Sequence, residues 1–173
     1  MDQSEAAPAL QETLRELVGE LLAACRQRNL RLTTAESCTG GLVASALTAV
    51  AGSSAVFERG FVTYSNEAKI EILGVPKTMI DRHGAVSEAV ARAMAEGAIA
   101  HSRADLAISI TGVAGPKPDD RGNPVGLMFL AGARRGGETK VMRRDFPARE
   151  PSDVRYQAVL SAFDLARHVI EAA

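Results

Sequence analysis

Two short segments combine nucleophilic, acidic and basic side chains with glycines that let a ligand approach the backbone. In the first, Glu36-Ser37-Cys38-Thr39-Gly40-Gly41, hydroxyls precede a glycine pair where an α/β fold places ligands, at a strand's carboxyl end and a helix's amino end. Backbone amides in such a turn can hold an oxyanion or a phosphate, while Ser37 or Thr39 supplies a hydroxyl. A hydroxyl is a weak nucleophile and needs a base. The three histidines, His83, His101 and His168, are scattered, so the candidate base is a lysine whose pKa is lowered by burial. Lys69 stands out, following Tyr64-Ser65-Asn66 at a strand end rather than lying in a surface run. Spacing alone leaves the plainer reading open: Ser37 and Thr39 as helix caps and Lys69 as a solvated helix lysine.

A second small-residue turn, Thr111-Gly112-Val113-Ala114-Gly115-Pro116, ends a later apolar run and could admit a ligand. Between Arg134 and Arg155 there are seven Lys and Arg against four Asp and Glu, and Arg149 and Arg155 flank the start of the last helix, where they could meet a phosphate. Of the histidines, His83 beside Gly84 could approach a site, whereas His101 and His168 read as solvent-facing or capping residues. Neither Cys sits in a C-x-x-C pair and no metal-ligand spacing is present. P-loop, dinucleotide-binding, α/β-hydrolase and β-lactamase signatures are absent.

The elements that position these residues follow from periodicity. Leu10, Leu14, Leu17, Leu21 and Cys25 form one apolar stripe of a helix ending near Asn29. Leu30 to Ala35 reads as a strand, and the glycine turn opens a helix over Leu42 to Val50. A strand over Val56 to Tyr64 leads to a helix capped by Ser65 or Asn66 and carrying Lys69. Further elements are a short helical turn at Lys77 to Arg82, a helix at Glu88 to His101 capped by Ser87, and strands at Asp105 to Thr111, Val125 to Ala133 and Thr139 to Phe146. The last two strands form a hairpin, and a helix from about Ser152 to Glu171 closes the chain. The inner face of the Glu88 helix is expected to be Ala89, Val90, Ala93, Met94, Gly97 and Ala98. Alternating strands and helices predict an α/β layered fold on a mixed sheet.

Composition bounds the function. The 173 residues, 46% hydrophobic and 24% charged, suit one domain over 1–173, with residues 1–8 expected to be flexible. A formal net charge of -1 gives no general positive field for nucleic acid or an anionic membrane, so any anion must be met locally. The weakly polar run Gly41 to Gly52 is too short to span a bilayer. The acidic start and two unpaired cysteines lead to the expectation of a cytoplasmic protein without a signal peptide. Apolar helix faces leave a homo-oligomer as an open expectation.

Several linked blocks carry a resemblance: Thr33 to Gly41, Ala51 to Lys69, His83 to Glu88, Thr111 to Pro116 and Pro124 to Gly126. From about Leu10 to its end the sequence resembles the C-terminal domain of the CinA (competence/damage-inducible protein) family in its stand-alone nicotinamide-nucleotide amidase form. The resemblance implies a three-layer α/β/α sandwich on a five-stranded mixed sheet. It implies hydrolysis of the carboxamide of nicotinamide mononucleotide, a pyridine mononucleotide, to nicotinate mononucleotide and ammonia in pyridine-nucleotide recycling, with no cofactor and no metal. Carried over, Ser37 is the nucleophile and Lys69 the general base, with Tyr64 and Thr39 orienting them. The backbone at Thr39, Gly40 and Gly41 holds the oxyanion or substrate, Thr111 and Gly112 line the pocket, and Arg149 is a substrate-binding candidate. Cys38 is implied to be a packed neighbour, and Lys69→Ala is expected to abolish activity without opening a core cavity.

The sequence departs from the family in two places. Lys117-Pro118-Asp119-Asp120-Arg121 stands where members carry a glycine-rich stretch, and Phe146-Pro147-Ala148-Arg149-Glu150 replaces the usual Phe-x-Gly-Asp-Arg. Both bear on phosphate recognition and turnover more than on Ser–Lys chemistry. The rival readings are a silent nucleotide-binding or regulatory module and an amidase for another small amide.

Overall fold

The computed structural model describes residues 3–147 and 150–171. Five strands, β1 (Leu32–Glu36), β2 (Phe57–Val62), β3 (Leu106–Gly112), β4 (Leu127–Arg134) and β5 (Lys140–Asp145), form one sheet in the order β2-β1-β3-β4-β5. β1 runs parallel to both β2 and β3, whereas β4 is antiparallel to β3 and to β5. Among the described residues six α-helices flank the sheet: α1 (Gln3–Gln27), α2 (Leu42–Thr48), α3 (Asn66–Leu73), α4 (Lys77–His83), α5 (Glu88–Ala100) and α6 (Pro151–Glu171). The mixed sheet and α/β layering agree with the expectation, and the element ends coincide with it or differ by one or two residues. The exception is α1, whose start at Gln3 lies ahead of the apolar stripe that predicts the helix.

Strand alternation sorts the core into two clusters. Leu32, Leu106, Ile108 and Ile110 face α1, α2 and α6, meeting Leu21, Leu22, Cys25, Leu47 and Phe163. Ala35, Ala107, Ala131 and Ala133 face the opposite layer, meeting Leu73, Ile80, Val90, Met94 and Ala98. Small residues on that side bring α5 close to the sheet, near enough for Ser109 Oγ to donate to Ala91 O at 2.6 Å. A Cβ on Gly97 would stand 2.0 Å from Leu73 O, so α5 also packs against the end of α3 at backbone distance. The buried face of α5 is Val90, Ala91, Met94, Ala95, Gly97 and Ala98. Ala89 and Ala93 are only half-buried, which corrects the expected face: contact with both α3 and the sheet rotates Ala91 and Ala95 inward.

Candidate active site

Ser37 follows the last residue of β1, and its N–H donates to Ile110 O at 3.0 Å, extending the pairing with β3 beyond the strand. Lys69 approaches from the other direction. Ser65 caps α3, its hydroxyl accepting from Ala68 N at 3.0 Å, and this sets the helix so that Lys69 points back beneath the β2–α3 turn. Lys69 Nζ lies 3.0 Å from Ser37 Oγ, 2.9 Å from Thr63 O and 3.5 Å from Ser65 O.

Lys69 is 1% exposed and Ser37 8%, so the reading of Lys69 as a solvated helix lysine is excluded. Burial pushes the Lys69 pKa below the ordinary lysine value, against weaker opposing pulls from Cys38 and Glu67. No carboxylate forms an ion pair with it among the described residues. In its neutral form the amine has two N–H donors, which the carbonyls of Thr63 and Ser65 can receive. Its lone pair is then left for the Ser37 hydroxyl. Two backbone carbonyls thus hold an amine against a hydroxyl.

The glycine turn behaves differently from expectation. Glu36, 1% exposed, folds its carboxylate over the amino end of α2. Oε2 accepts from Thr39 Oγ1 at 2.8 Å and from Gly41 N and Val43 N at 3.0 Å each, and Oε1 accepts from Ala44 N at 2.9 Å. The helix dipole and its unpaired amides are met by the protein's own acid. Gly40 N is also engaged, donating to Ser37 O at 3.0 Å. The amides of Gly40 and Gly41 are therefore occupied within the turn, and Thr39 orients Glu36 rather than the Ser37–Lys69 pair. Within the turn, the Thr39 amide has no acceptor among the described residues and that of Cys38 faces only its own thiol.

Around this centre the other candidates take distinct positions. Cys38 is buried with Sγ 3.4 Å from Met128 Sδ, and burial pushes its thiol up to about 12, which makes it a packed neighbour and a poor nucleophile at neutral pH. Thr111 stands beside Ser37 in the register, its Oγ1 donating to Ala85 O at 2.8 Å. Gly112 sits where a Cβ would stand 2.1 Å from Met128 Sδ and 2.6 Å from Leu127 O, so its role is close strand packing. Tyr64 is 73% exposed, between the two residues whose carbonyls hold Lys69. No hydrogen bond joins its phenol to Ser37 or Lys69 among the described residues. Arg149 lies outside the described residues. Arg155, on the first turn of α6, is half-buried, makes no hydrogen bond or ion pair among the described residues, and stands close enough to favour the Cys38 thiolate. His83 lines a groove of about 450 Å³ with Met79, Ser87, Arg92 and Glu96, and none of the Ser37 group borders that groove.

The charged loop after Pro116 is ordered by Asp119, whose Oδ1 accepts from Arg121 N and Asn123 N at 3.0 and 2.8 Å. Arg121 reaches the end of α4, donating to Ile80 O and Asp81 O at 3.2 and 2.6 Å. Lysine and aspartate thus replace glycine in a strap anchored by its arginine.

Residues 12–170 match the family model of the CinA C-terminal domain. The chain belongs to that family. The CinA domain described here is similar to the nicotinamide-nucleotide amidohydrolase PncC of Escherichia coli strain K12, 50% identical over 149 residues that make up 86% of this chain and 88% of that protein. It is also similar to a CinA-like protein of Akkermansia muciniphila, 52% identical over 121 residues. Those residues are 70% of this chain and only 29% of that longer protein. Among solved structures, the CinA superfamily protein of Klebsiella pneumoniae 700603 superposes with a TM-score of 0.89 at 38% identity, covering 92% of this chain and 99% of that one. The competence/damage-inducible protein of Agrobacterium tumefaciens gives 0.87 at 40% identity, covering 91% and 95%.

Two participants in the CinA site were not singled out from sequence. Glu36 had a signal, an acid directly before a glycine pair that opens a helix. Thr63 had none, since a threonine near a strand end is ordinary.

Proposed function

We propose that this chain is an amidohydrolase that converts nicotinamide mononucleotide to nicotinate mononucleotide and ammonia through an acyl-enzyme on Ser37, with Lys69 as general base. The observation that carries this reading is the 3.0 Å separation of Lys69 Nζ and Ser37 Oγ, both buried and, among the described residues, without a carboxylate partner. Similarity to an amidohydrolase named for nicotinamide nucleotides supports the substrate class.

The chemistry runs in two halves. Neutral Lys69 takes the Ser37 proton as Oγ attacks the carboxamide carbon, and the oxygen that gains charge is met by the Cys38 and Thr39 amides. Lys69 then returns the proton to the departing nitrogen, which leaves as ammonia. Water cleaves the ester by the same route. Arg155, a guanidinium beside the turn without a hydrogen-bond or ion-pair partner among the described residues, is the candidate for the nucleotide phosphate. Tyr64, exposed between Thr63 and Ser65, is the candidate whose aromatic face covers the pyridine ring. Two free thiols accord with a reducing, cytoplasmic setting, and no described helix is long and apolar enough to cross a membrane.

Incubating the purified chain with nicotinamide mononucleotide and measuring ammonia and nicotinate mononucleotide tests the proposal, with Ser37→Ala as control. Absence of product at high enzyme concentration, or full activity in Ser37→Ala, would sink it. Binding by calorimetry without turnover would instead support a silent nucleotide-binding module.

A further inference from the structure

Thr63 is fully buried, and its Oγ1 is the buried side-chain oxygen that has no hydrogen-bond partner among the described residues. A buried hydroxyl without a partner destabilises a fold, and valine would fill the same volume without that penalty. The position of this hydroxyl suggests what its presence serves. Thr63 N donates to Glu36 O at 2.8 Å, and the register pairs Ala35 with Phe61 and Glu36 with Val62. The next step sets Thr63 beside Ser37, one strand spacing away, roughly 4.8 Å. Ala35 and Phe61 face the layer of α3 to α5, and by strand alternation Thr63 shares that face, from which Lys69 reaches the pair. The Thr63 carbonyl already accepts from Lys69 Nζ at 2.9 Å.

The first half-reaction leaves this hydroxyl without a task. The second half has an unmet requirement: an attacking water must be held in two directions, and Lys69 supplies only one. We propose that Thr63 is a catalytic residue of ester hydrolysis, its Oγ1 accepting a hydrogen bond from the water that attacks the Ser37 acyl-enzyme. One water proton passes to neutral Lys69 as the oxygen forms its bond to the acyl carbon. The second water hydrogen is held by Thr63 Oγ1 during attack and stays on the product oxygen. When the bond from the acyl carbon to Ser37 Oγ breaks, Lys69 gives its proton to Oγ. The product is the carboxylic acid, which then ionises, and both side chains return to their starting states.

This inference rests on the Ser37–Lys69 reading, and the experiment separates the two. In rapid-quench assays with nicotinamide mononucleotide, Thr63→Val is expected to release one equivalent of ammonia per enzyme at a rate within about twofold of wild type, then to turn over roughly tenfold or more slowly. Intact mass should show the nicotinoyl-nucleotide ester accumulating on Ser37. Thr63→Ser restores the hydroxyl and should restore turnover. The valine variant removes no intramolecular hydrogen bond, so its Tm should equal or exceed that of wild type, and Thr63→Ala gives the same readout should valine fail to pack. Wild-type turnover in Thr63→Val without an accumulating ester overturns the role, as does a parallel fall in the ammonia burst and steady-state rate. If wild type itself releases no ammonia and forms no ester, the Ser37–Lys69 reading falls and takes this role with it.

Discussion

Thr39 Oγ1 donates to Glu36 Oε2 at 2.8 Å, a bond across the base of the turn that presents Ser37. The same carboxylate receives the Gly41, Val43 and Ala44 amides, so one buried acid holds the strand end and the helix start together. In Glu36→Gln the amide nitrogen faces N–H donors in place of an acceptor. The variant should unfold with a free energy lowered by about 3 kcal/mol, read from urea denaturation of both proteins.

Lys69 is among the largest fully buried side chains, which corrects the expectation that Lys69→Ala leaves no cavity. Lys69→Met keeps the volume and should stay within about 1.5 kcal/mol of wild-type stability. Its kcat should fall by about 10²-fold or more for loss of the general base. Wild-type activity in Lys69→Met would leave the lysine a structural role only.

The lowered Lys69 pKa makes two linked predictions. Activity should rise with pH as Lys69 loses its proton, with a midpoint below the ordinary lysine value. The unfolded chain binds more protons between the folded pKa and 10.5, so stability rises with pH across that window. Equivalently, this contribution is complete above the unfolded value and is lost as pH falls through the folded one. Unfolding free energies of wild type and Lys69→Met, compared from pH 7 to 10, should diverge in slope. Parallel slopes would show that the lysine is not desolvated.

Cys38 and Cys25 are both buried, with thiols pushed up to about 12 and about 11, chiefly by desolvation. Native protein at neutral pH should resist iodoacetamide at both positions and keep its activity, whereas denatured protein should take up two labels. Rapid inactivation with a label on Cys38 would make the thiol a competitor for the nucleophile's role.

The fold was largely legible because its signals are periodic. The stripe through Leu21 and Cys25, the β-branched and aromatic β2, and the serine caps at Ser65 and Ser87 mark elements where the structure has them. The site was legible as a motif, and Ser37 and Lys69 do meet. The missing information was three-dimensional. No spacing rule says that Glu36 will curl onto α2 in place of a ligand, or that Thr111 will turn toward Ala85. Nor does sequence show that Tyr64 faces solvent while its neighbour Thr63 is buried, since that depends on how α3 lies across the sheet end.

The position of β2 at the sheet's edge bears on how this protein ages under heat. Ser37 is anchored on β1 between two parallel neighbours, whereas Lys69 and Thr63 belong to the β2–α3 segment, whose strand is half exposed and pairs on one side only. Edge segments open at lower free energy than central ones. The contact between Ser37 and Lys69 thus spans from the interior of the sheet to one of its edges. Warming should silence the enzyme reversibly while its central strands are still intact, and amide exchange should be faster across residues 63–69 than along β3.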